Sequence, residues 1–296
     1  MGRLHTAGGI RAIGKKYDFR TAKRLGQNFL TDLSVVDQIV ESSEAGPRDL
    51  VIEIGPGMGV LTVQAARAAG KVAAIEVDAK LIPILRETLA PYANVTVIHE
   101  DVLKTDLPAL IERERILPDG TSAEQVRILG NLPYYITTPI LMKLLEDRVG
   151  VQSITIMVQK EVAMRIAAPP GSRTYGALSV AVQYFCEIDY VVTVPKEAFF
   201  PAPKVDSAVI HLRLRTKPPV ELLSEKLFFE CVKKGFGQRR KTLHNALTGI
   251  CDLDKEATGK LLEVCGIDPI RRAETLSLEE FAALANRLAQ PGLHIR

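Results

Sequence analysis

Between residues 50 and 167, short aliphatic runs alternate with amphipathic stretches of helical period, and this alternation leaves few folds open. Residues 50–54, 72–75, 95–98, 126–129 and 153–158 read as strands. Residues 60–69, 81–89, 139–145 and 160–167 read as helices. Strands separated by helical patterns require crossover connections, so a mainly parallel sheet is expected. Two further strands, 190–194 and 209–214, have no obvious helix between them and are placed to close one sheet edge in antiparallel fashion. The expectation is an α/β fold with a Rossmann-like, seven-stranded, mainly parallel sheet.

The pattern changes after Lys217-Pro-Pro219, where two prolines end a strand and stiffen a linker. Candidate helices at 224–234, 240–248, 255–265 and 278–288 follow. Ser277 with Glu280 three residues later fits a capping box. A small all-α C-terminal domain over 215–296 is therefore expected, after a sheet domain over 25–214. Residues 1–24 read as a basic, poorly periodic and partly mobile arm carrying Arg11, Lys15, Lys16, Arg20, Lys23 and Arg24. A helix then starts near Asp32 or Thr31, with Leu33, Val36, Ile39 and Val40 on one face.

Composition excludes several classes. The longest apolar runs are too short to span a bilayer, and Met1-Gly2-Arg3-Leu4-His5 lacks a secretory apolar stretch, so a cytoplasmic protein without membrane contact is expected. Cys186, Cys231, Cys251 and Cys265 form no Cys-x-x-Cys pair, and no metal site is expected. Charge is uneven. Residues 1–27 carry seven Lys/Arg against one acid, residues 28–213 carry 17 against 23, and residues 214–296 carry 14 against 11. Two basic ends around an acidic middle suit a polyanion held about a catalytic centre.

The first strand runs into Glu53-Ile-Gly55-Pro-Gly57-Met-Gly59, which opens a helix. Glycines there let main chain approach a ligand and turn sharply. Glu76 ends the second strand, where an acid accepts hydrogen bonds from ribose hydroxyls. Asp101, followed by Val102, comes after the third and can accept from an adenine amine. Either a nicotinamide dinucleotide or S-adenosylmethionine fits such contacts. The Gly-x-Gly-x-Gly spacing favours the latter, because Gly-x-Gly-x-x-Gly serves a pyrophosphate.

The fourth strand ends in Asn131-Leu132-Pro133-Tyr134. An adenine amine is a poor nucleophile because its lone pair is delocalised into the ring. Two acceptors holding its hydrogens localise that pair. The Asn131 side-chain oxygen and the Leu132 carbonyl, restrained by Pro133, supply them. Tyr134 offers a stacking face, worth about 1–3 kcal/mol per base. No strong base is needed before transfer, since the amine turns acidic as it is alkylated, and positioning carries much of the catalysis.

With these residues in place, the chain resembles the small-subunit (16S) rRNA adenine N6,N6-dimethyltransferase family, related to the erythromycin-resistance rRNA methyltransferases. The resemblance runs from about residue 23 to 248 through Leu25-Gly-Gln27-Asn28-Phe-Leu30, the glycine loop, Asn131 to Tyr134, Met157-Val-Gln159-Lys160-Glu161, Tyr175-Gly176, Phe199-Phe200-Pro201-Ala-Pro203-Lys204 and Phe236-Gly-Gln-Arg239-Arg240-Lys241. It implies cofactor contacts from Gln27, Asn28, Leu30, Gly55, Gly57, Glu76, Asp101, Val102 and Asn131. It implies that Phe199 clamps the target base opposite Tyr134, with Phe200 the alternative ring. It also implies RNA contacts from Lys204, Arg239, Arg240 and Lys241.

The function so implied is S-adenosylmethionine-dependent dimethylation of two adjacent adenosines in a 3′-terminal hairpin of small-subunit rRNA, within an assembling ribosomal subunit, by a monomer. The rivals are a resistance-type enzyme on large-subunit rRNA, a binding factor on the same fold, and a nicotinamide-dependent oxidoreductase. The longer helical domain with Arg239-Arg240-Lys241 opposes the first, the intact Asn131 to Tyr134 motif the second, and the loop spacing the third.

Overall fold

The computed structural model describes residues 4–19, 21 and 26–290. Arg20, Lys23 and Arg24 of the expected arm, and Leu25 of the first motif, lie outside the described residues. The elements in chain order are α1 (Ala7–Lys16), β1 (Phe29–Leu30), α2 (Leu33–Ser42), β2 (Asp49–Ile54), α3 (Val60–Ala68), β3 (Lys71–Glu76), α4 (Ile82–Leu89), β4 (Val95–His99), α5 (Leu107–Glu114), β5 (Gln125–Asn131), α6 (Thr137–Glu146), β6 (Ser153–Gln159) and α7 (Lys160–Ile166). They continue with α8 (Ala177–Phe185), β7 (Cys186–Val194), β8 (Phe199–Phe200), β9 (Ser207–Leu214), α9 (Glu225–Gly237), α10 (Leu243–Leu247), α11 (Lys255–Val264) and α12 (Leu278–Ala289).

The seven-stranded sheet has the order β4-β3-β2-β5-β6-β9-β7. Strands β4 through β6 in that order are parallel. Strand β9 runs antiparallel to β6, with Met157 opposite Val209, as the missing helical pattern before it predicted. Chain order runs outward from β2 through β3 to β4 on one side and from β5 to β6 on the other. The reversal falls between β2 and β5, and a ligand crevice forms at the carboxyl ends of strands at such a point. At the opposite ends, buried Arg127 of β5 donates to Asp49 at 2.9 Å, to the Ser43 carbonyl at 2.9 Å and to Ser153 Oγ at 3.3 Å. One guanidinium thereby ties the starts of β2, β5 and β6 and satisfies buried polar groups.

The chain divides into two units, Met1–Ala163 with Glu187–Leu214, and Met164–Cys186 with Arg215–Arg296. The second unit buries Tyr175, Tyr184, Phe228, Leu261, Leu262 and Phe281 in one core. Helix α12 opens with the capping box, Ser277 and Glu280 exchanging side-chain to main-chain hydrogen bonds. Residues 164–186, read from sequence as part of the sheet domain, belong to this helical unit because α8 packs its apolar face on Phe228 and Phe229 through Tyr184 and Phe185.

The N-terminal segment departs from expectation. It carries a regular helix, α1, where a poorly periodic arm was expected. Glycines at positions 8, 9 and 14 depress its helical signature. Tertiary contacts compensate. Thr6 caps Gly9, Ile10 is buried beside Phe29, Met58 and Leu81, and Lys16 and Tyr17 bind Glu87. Arg11 lies 4.9 Å over the Phe200 ring. Strands β1 and β8 pair antiparallel, Leu30 opposite Phe199, and at two residues each they are too short to show a period.

Candidate active site

Strand β2 is apolar between its first residue, Asp49, and Glu53, and it delivers the chain into Gly55-Pro56-Gly57-Met58-Gly59 before α3 begins. Gly55 and Gly57 adopt φ of +72° and +59°, in the left-handed region. A Cβ on Gly57 would lie 3.1 Å from two carbons of the Phe29 ring, so the ring would have to give by a few tenths of an ångström to admit it. The loop, β1 and the ends of β3, β4 and β5 wall one cavity. Gln27, Asn28, Leu30, Gly55, Gly57, Glu76, Asp101, Val102, Asn131, Leu132, Pro133 and Tyr134 all line it. Every expected cofactor residue is therefore brought to one place.

Acids give the cavity its chemistry. Glu76 is buried, and burial pushes its carboxyl up to about 6 against main-chain N–H groups of Asp78 and Gly57 that favour the carboxylate. The Asp78 N–H donates to Glu76 Oε1 at 2.8 Å. Gln27 Nε2 donates to Asp78 Oδ2 at 2.7 Å, which fastens the segment before β1 to the turn after β3. Asp101 accepts from the Leu103 N–H at 3.0 Å. Glu53 also lines the cavity and is fully enclosed; burial, with the Glu76 charge adding to it, pushes its carboxyl up to about 8. Its Oε2 has no hydrogen-bond partner among the described residues.

At the end of β5, the Asn131 side-chain amide donates to the Asn28 carbonyl at 3.1 Å. Its nitrogen is thereby committed, and its oxygen is left as an acceptor. The Leu132 N–H donates to the Met157 carbonyl at 3.1 Å, while the Leu132 carbonyl accepts no main-chain hydrogen bond among the described residues. The Pro133 carbonyl accepts from the Ile136 N–H and from Thr137 Oγ1, which begins α6. Tyr134 is half-buried, and its hydroxyl lies 2.6 Å from Ser207 Oγ on β9. Burial raises its pKa, so the phenol stays neutral.

The other expected residues lie elsewhere. Phe199 is 4% exposed and packs with Leu30, Val35 and Val209 rather than lining the cavity. Phe200 does not line it either; it packs against Phe29 and Met58 beneath Arg11. Lys204 is exposed on the segment before β9. In the helical unit, Arg240 and Lys241 are exposed, whereas Arg239 donates to the carbonyls of Arg173 at 3.3 Å and Tyr175 at 3.1 Å. Arg239 thus braces the chain as well as presenting charge. Reading the sequence missed the roles of Glu53, Asp78 and Phe29. Glu53 left one signal, a lone acid inside an aliphatic strand. Among the described residues no cluster of His, Cys, Asp and Glu forms a metal site, and no helix is long and apolar enough to cross a membrane.

Sheet order, glycine loop and strand-end acids define a Rossmann-like methyltransferase. The model of the family described as ribosomal RNA adenine dimethylase matches residues 18–290. A ribosomal RNA small subunit methyltransferase A of Bacillus cytotoxicus is 50% identical over 291 residues, covering 97% of this chain and 98% of that protein. The crystal structure of a dimethyladenosine transferase from Plasmodium falciparum is similar with a TM-score of 0.71 at 25% identity, covering 86% of this chain and 95% of that one. That of the 23S rRNA methyltransferase ErmE has a TM-score of 0.68 at 27% identity, covering 89% and 100%. The chain belongs to the ribosomal RNA adenine dimethylase family.

Proposed function

We propose that this protein uses S-adenosylmethionine to dimethylate the N6 amines of two adjacent adenosines in a 3′-terminal hairpin of small-subunit rRNA. It does so as a cytoplasmic monomer acting on the assembling ribosomal subunit. The observation that carries this reading is the Asn131 amide: its nitrogen is held by the Asn28 carbonyl, and its oxygen remains as an acceptor beside the Leu132 carbonyl. The 50% identity to a small-subunit rRNA methyltransferase supports the choice of RNA.

The residues present fit the cofactor. Glu76 offers a buried carboxylate for ribose hydroxyls, Asp101 Oδ2, 3.9 Å from the exposed Lys104 ammonium, can turn to an adenine amine, and Gly55 and Gly57 leave the loop main chain open to close approach. Asn28 and Leu30 border the same space, with Gln27 and Val102 completing its wall. When bound, S-adenosylmethionine supplies an electrophilic methyl on a sulfonium. Asn131 Oδ1 and the Leu132 carbonyl each take one N–H of the adenine amine and aim its lone pair into the cavity. Tyr134 stacks on the extruded base, with its ring angle set by Ser207. Phe199 meets the other face only by leaving its buried place opposite Leu30. Lys204, Arg239, Arg240 and Lys241 neutralise rRNA phosphates.

The likeness to ErmE keeps large-subunit rRNA as a second reading. Incubation of the protein with labelled S-adenosylmethionine and each ribosomal subunit, followed by mass spectrometry of the modified bases, separates the two. Dimethyladenosine at paired positions near the 3′ end of small-subunit rRNA is expected. Label confined to large-subunit rRNA would replace the proposal with the second reading.

A further inference from the structure

Tyr135 follows Tyr134 in sequence and lines the same cavity, yet the two rings are held differently. Tyr134 is half-buried with its hydroxyl fixed to Ser207. Tyr135 is 56% exposed, and no hydrogen bond holds its hydroxyl among the described residues. More than half of its surface thus stays open to a ligand at the cavity it lines. Gly26 has φ of +59°, and a Cβ there would stand 3.5 Å from the Tyr135 ring and 3.8 Å from Pro133. Gly26 therefore leaves about a methyl group of open space beside the Tyr135 ring.

The inference rests on the proposed RNA substrate and refines it. Drawing one adenine out of its stack strips its neighbour of a stacking partner, which costs free energy. In an adjacent adenosine pair, whichever adenine enters the cavity leaves a purine beside the mouth. An exposed aromatic face there recovers about 1–3 kcal/mol for one stacked base. We propose that Tyr135, exposed at the rim of the cavity beside Gly26, is a second base subsite that stacks the purine next to the extruded adenine. Tyr134 and Tyr135 then hold two consecutive bases, one inside the cavity and one at its rim.

The test pairs protein and RNA changes. Small subunits are reconstituted with the natural adenosine pair, or with an abasic residue in place of the adenine beside the target. KM and kcat for methyl transfer are measured for wild type, Tyr135→Ala and Tyr135→Phe, alongside the Kd of each for S-adenosylhomocysteine. On the natural pair, Tyr135→Ala raises KM about 5- to 150-fold, the equivalent of one stacked base. Tyr135→Phe stays near wild type, and the Kd for S-adenosylhomocysteine is unchanged in all three. On the abasic substrate the wild type loses a similar factor and Tyr135→Ala loses nothing more. An equal loss for Tyr135→Ala on both substrates, no loss at all, or a matching loss of S-adenosylhomocysteine binding overturns the subsite. Failure of the wild type to methylate the natural pair would instead overturn the reading of the substrate.

Discussion

The Asn131 side-chain nitrogen donates to the Asn28 main-chain carbonyl at 3.1 Å, joining the end of β5 to the segment that precedes β1. One hydrogen bond therefore sets both the roof of the cavity and the direction in which Asn131 presents its oxygen. Asn131→Ala removes that acceptor while the strand stays intact. Single-turnover methyl transfer should fall by at least about 100-fold, the scale of one lost preorganised contact, with the melting temperature and most RNA binding retained. Asn131→Asp should be equally slow, because a carboxylate oxygen would face the Asn28 carbonyl. Full activity in Asn131→Ala would sink the proposed positioning mechanism.

Burial lifts Glu76 to about 6, so its charge is lost within an accessible range. A carboxylate accepts from ribose hydroxyls; its protonated form offers less. Calorimetric affinity for S-adenosylhomocysteine should be flat above about pH 7 and fall nearly tenfold per unit below about pH 6. Glu76→Gln should bind weakly with no such inflection. A pH-independent affinity in the wild type would remove Glu76 from ribose recognition.

Glu53 makes an opposite demand on stability. Its carboxyl, lifted to about 8 by burial, keeps a proton in the native state that the unfolded chain releases above about 4.5. The native state binds more protons between these values, so this contribution is complete at low pH and is lost as pH rises. The slope is at most about 1.4 kcal/mol per unit. Glu53→Gln should flatten the fall in melting temperature between pH 5 and 8, and an unchanged profile would count against a protonated Glu53.

The sheet was legible because parallel strands buried on both faces leave aliphatic runs, and the cavity was legible because polar residues cluster where those runs end. Leu50-Val-Ile-Glu-Ile54 and Asn131-Leu-Pro-Tyr134 illustrate both. Elements governed by distant partners were not. Helix α1 depends on Ile10 meeting Phe29 and on Glu87 meeting Lys16 and Tyr17, 70 or more residues away. Helix α8 carries no charged residue, and its unit is decided by aromatic packing that local periodicity does not encode. The resemblance puts Phe199 in the base clamp, whereas its burial in the core with Leu30 and Val209 is a property of the tertiary fold.

Gly57 couples the glycine loop to β1. Gly57→Ala places a Cβ 3.1 Å from Phe29 and forces a side chain into φ of +59°, which costs about 1–2 kcal/mol before any clash. The variant should melt several degrees lower and lose most S-adenosylhomocysteine affinity. Adding Phe29→Leu should restore part of the affinity by relieving the clash, leaving the backbone cost. If Phe29→Leu restores nothing, the ring is not what confines the loop.

The three cations of the helical unit should separate by experiment. Arg239 is bonded to the carbonyls of Arg173 and Tyr175, while Arg240 and Lys241 are exposed. Arg239→Glu removes those bonds and sets an anion among carbonyl oxygens, so it should lower the melting temperature and reduce RNA binding together. Arg240→Glu with Lys241→Glu should leave the melting temperature within about a degree and weaken binding to small ribosomal subunits. The plot of log binding constant against log salt should flatten by up to about two, since each released counterion contributes about 0.7–0.9 to the slope. An unchanged slope in the double variant would place the phosphate contacts elsewhere on the protein. Equal destabilisation by all three substitutions would mean that the cluster braces the unit and does not read RNA.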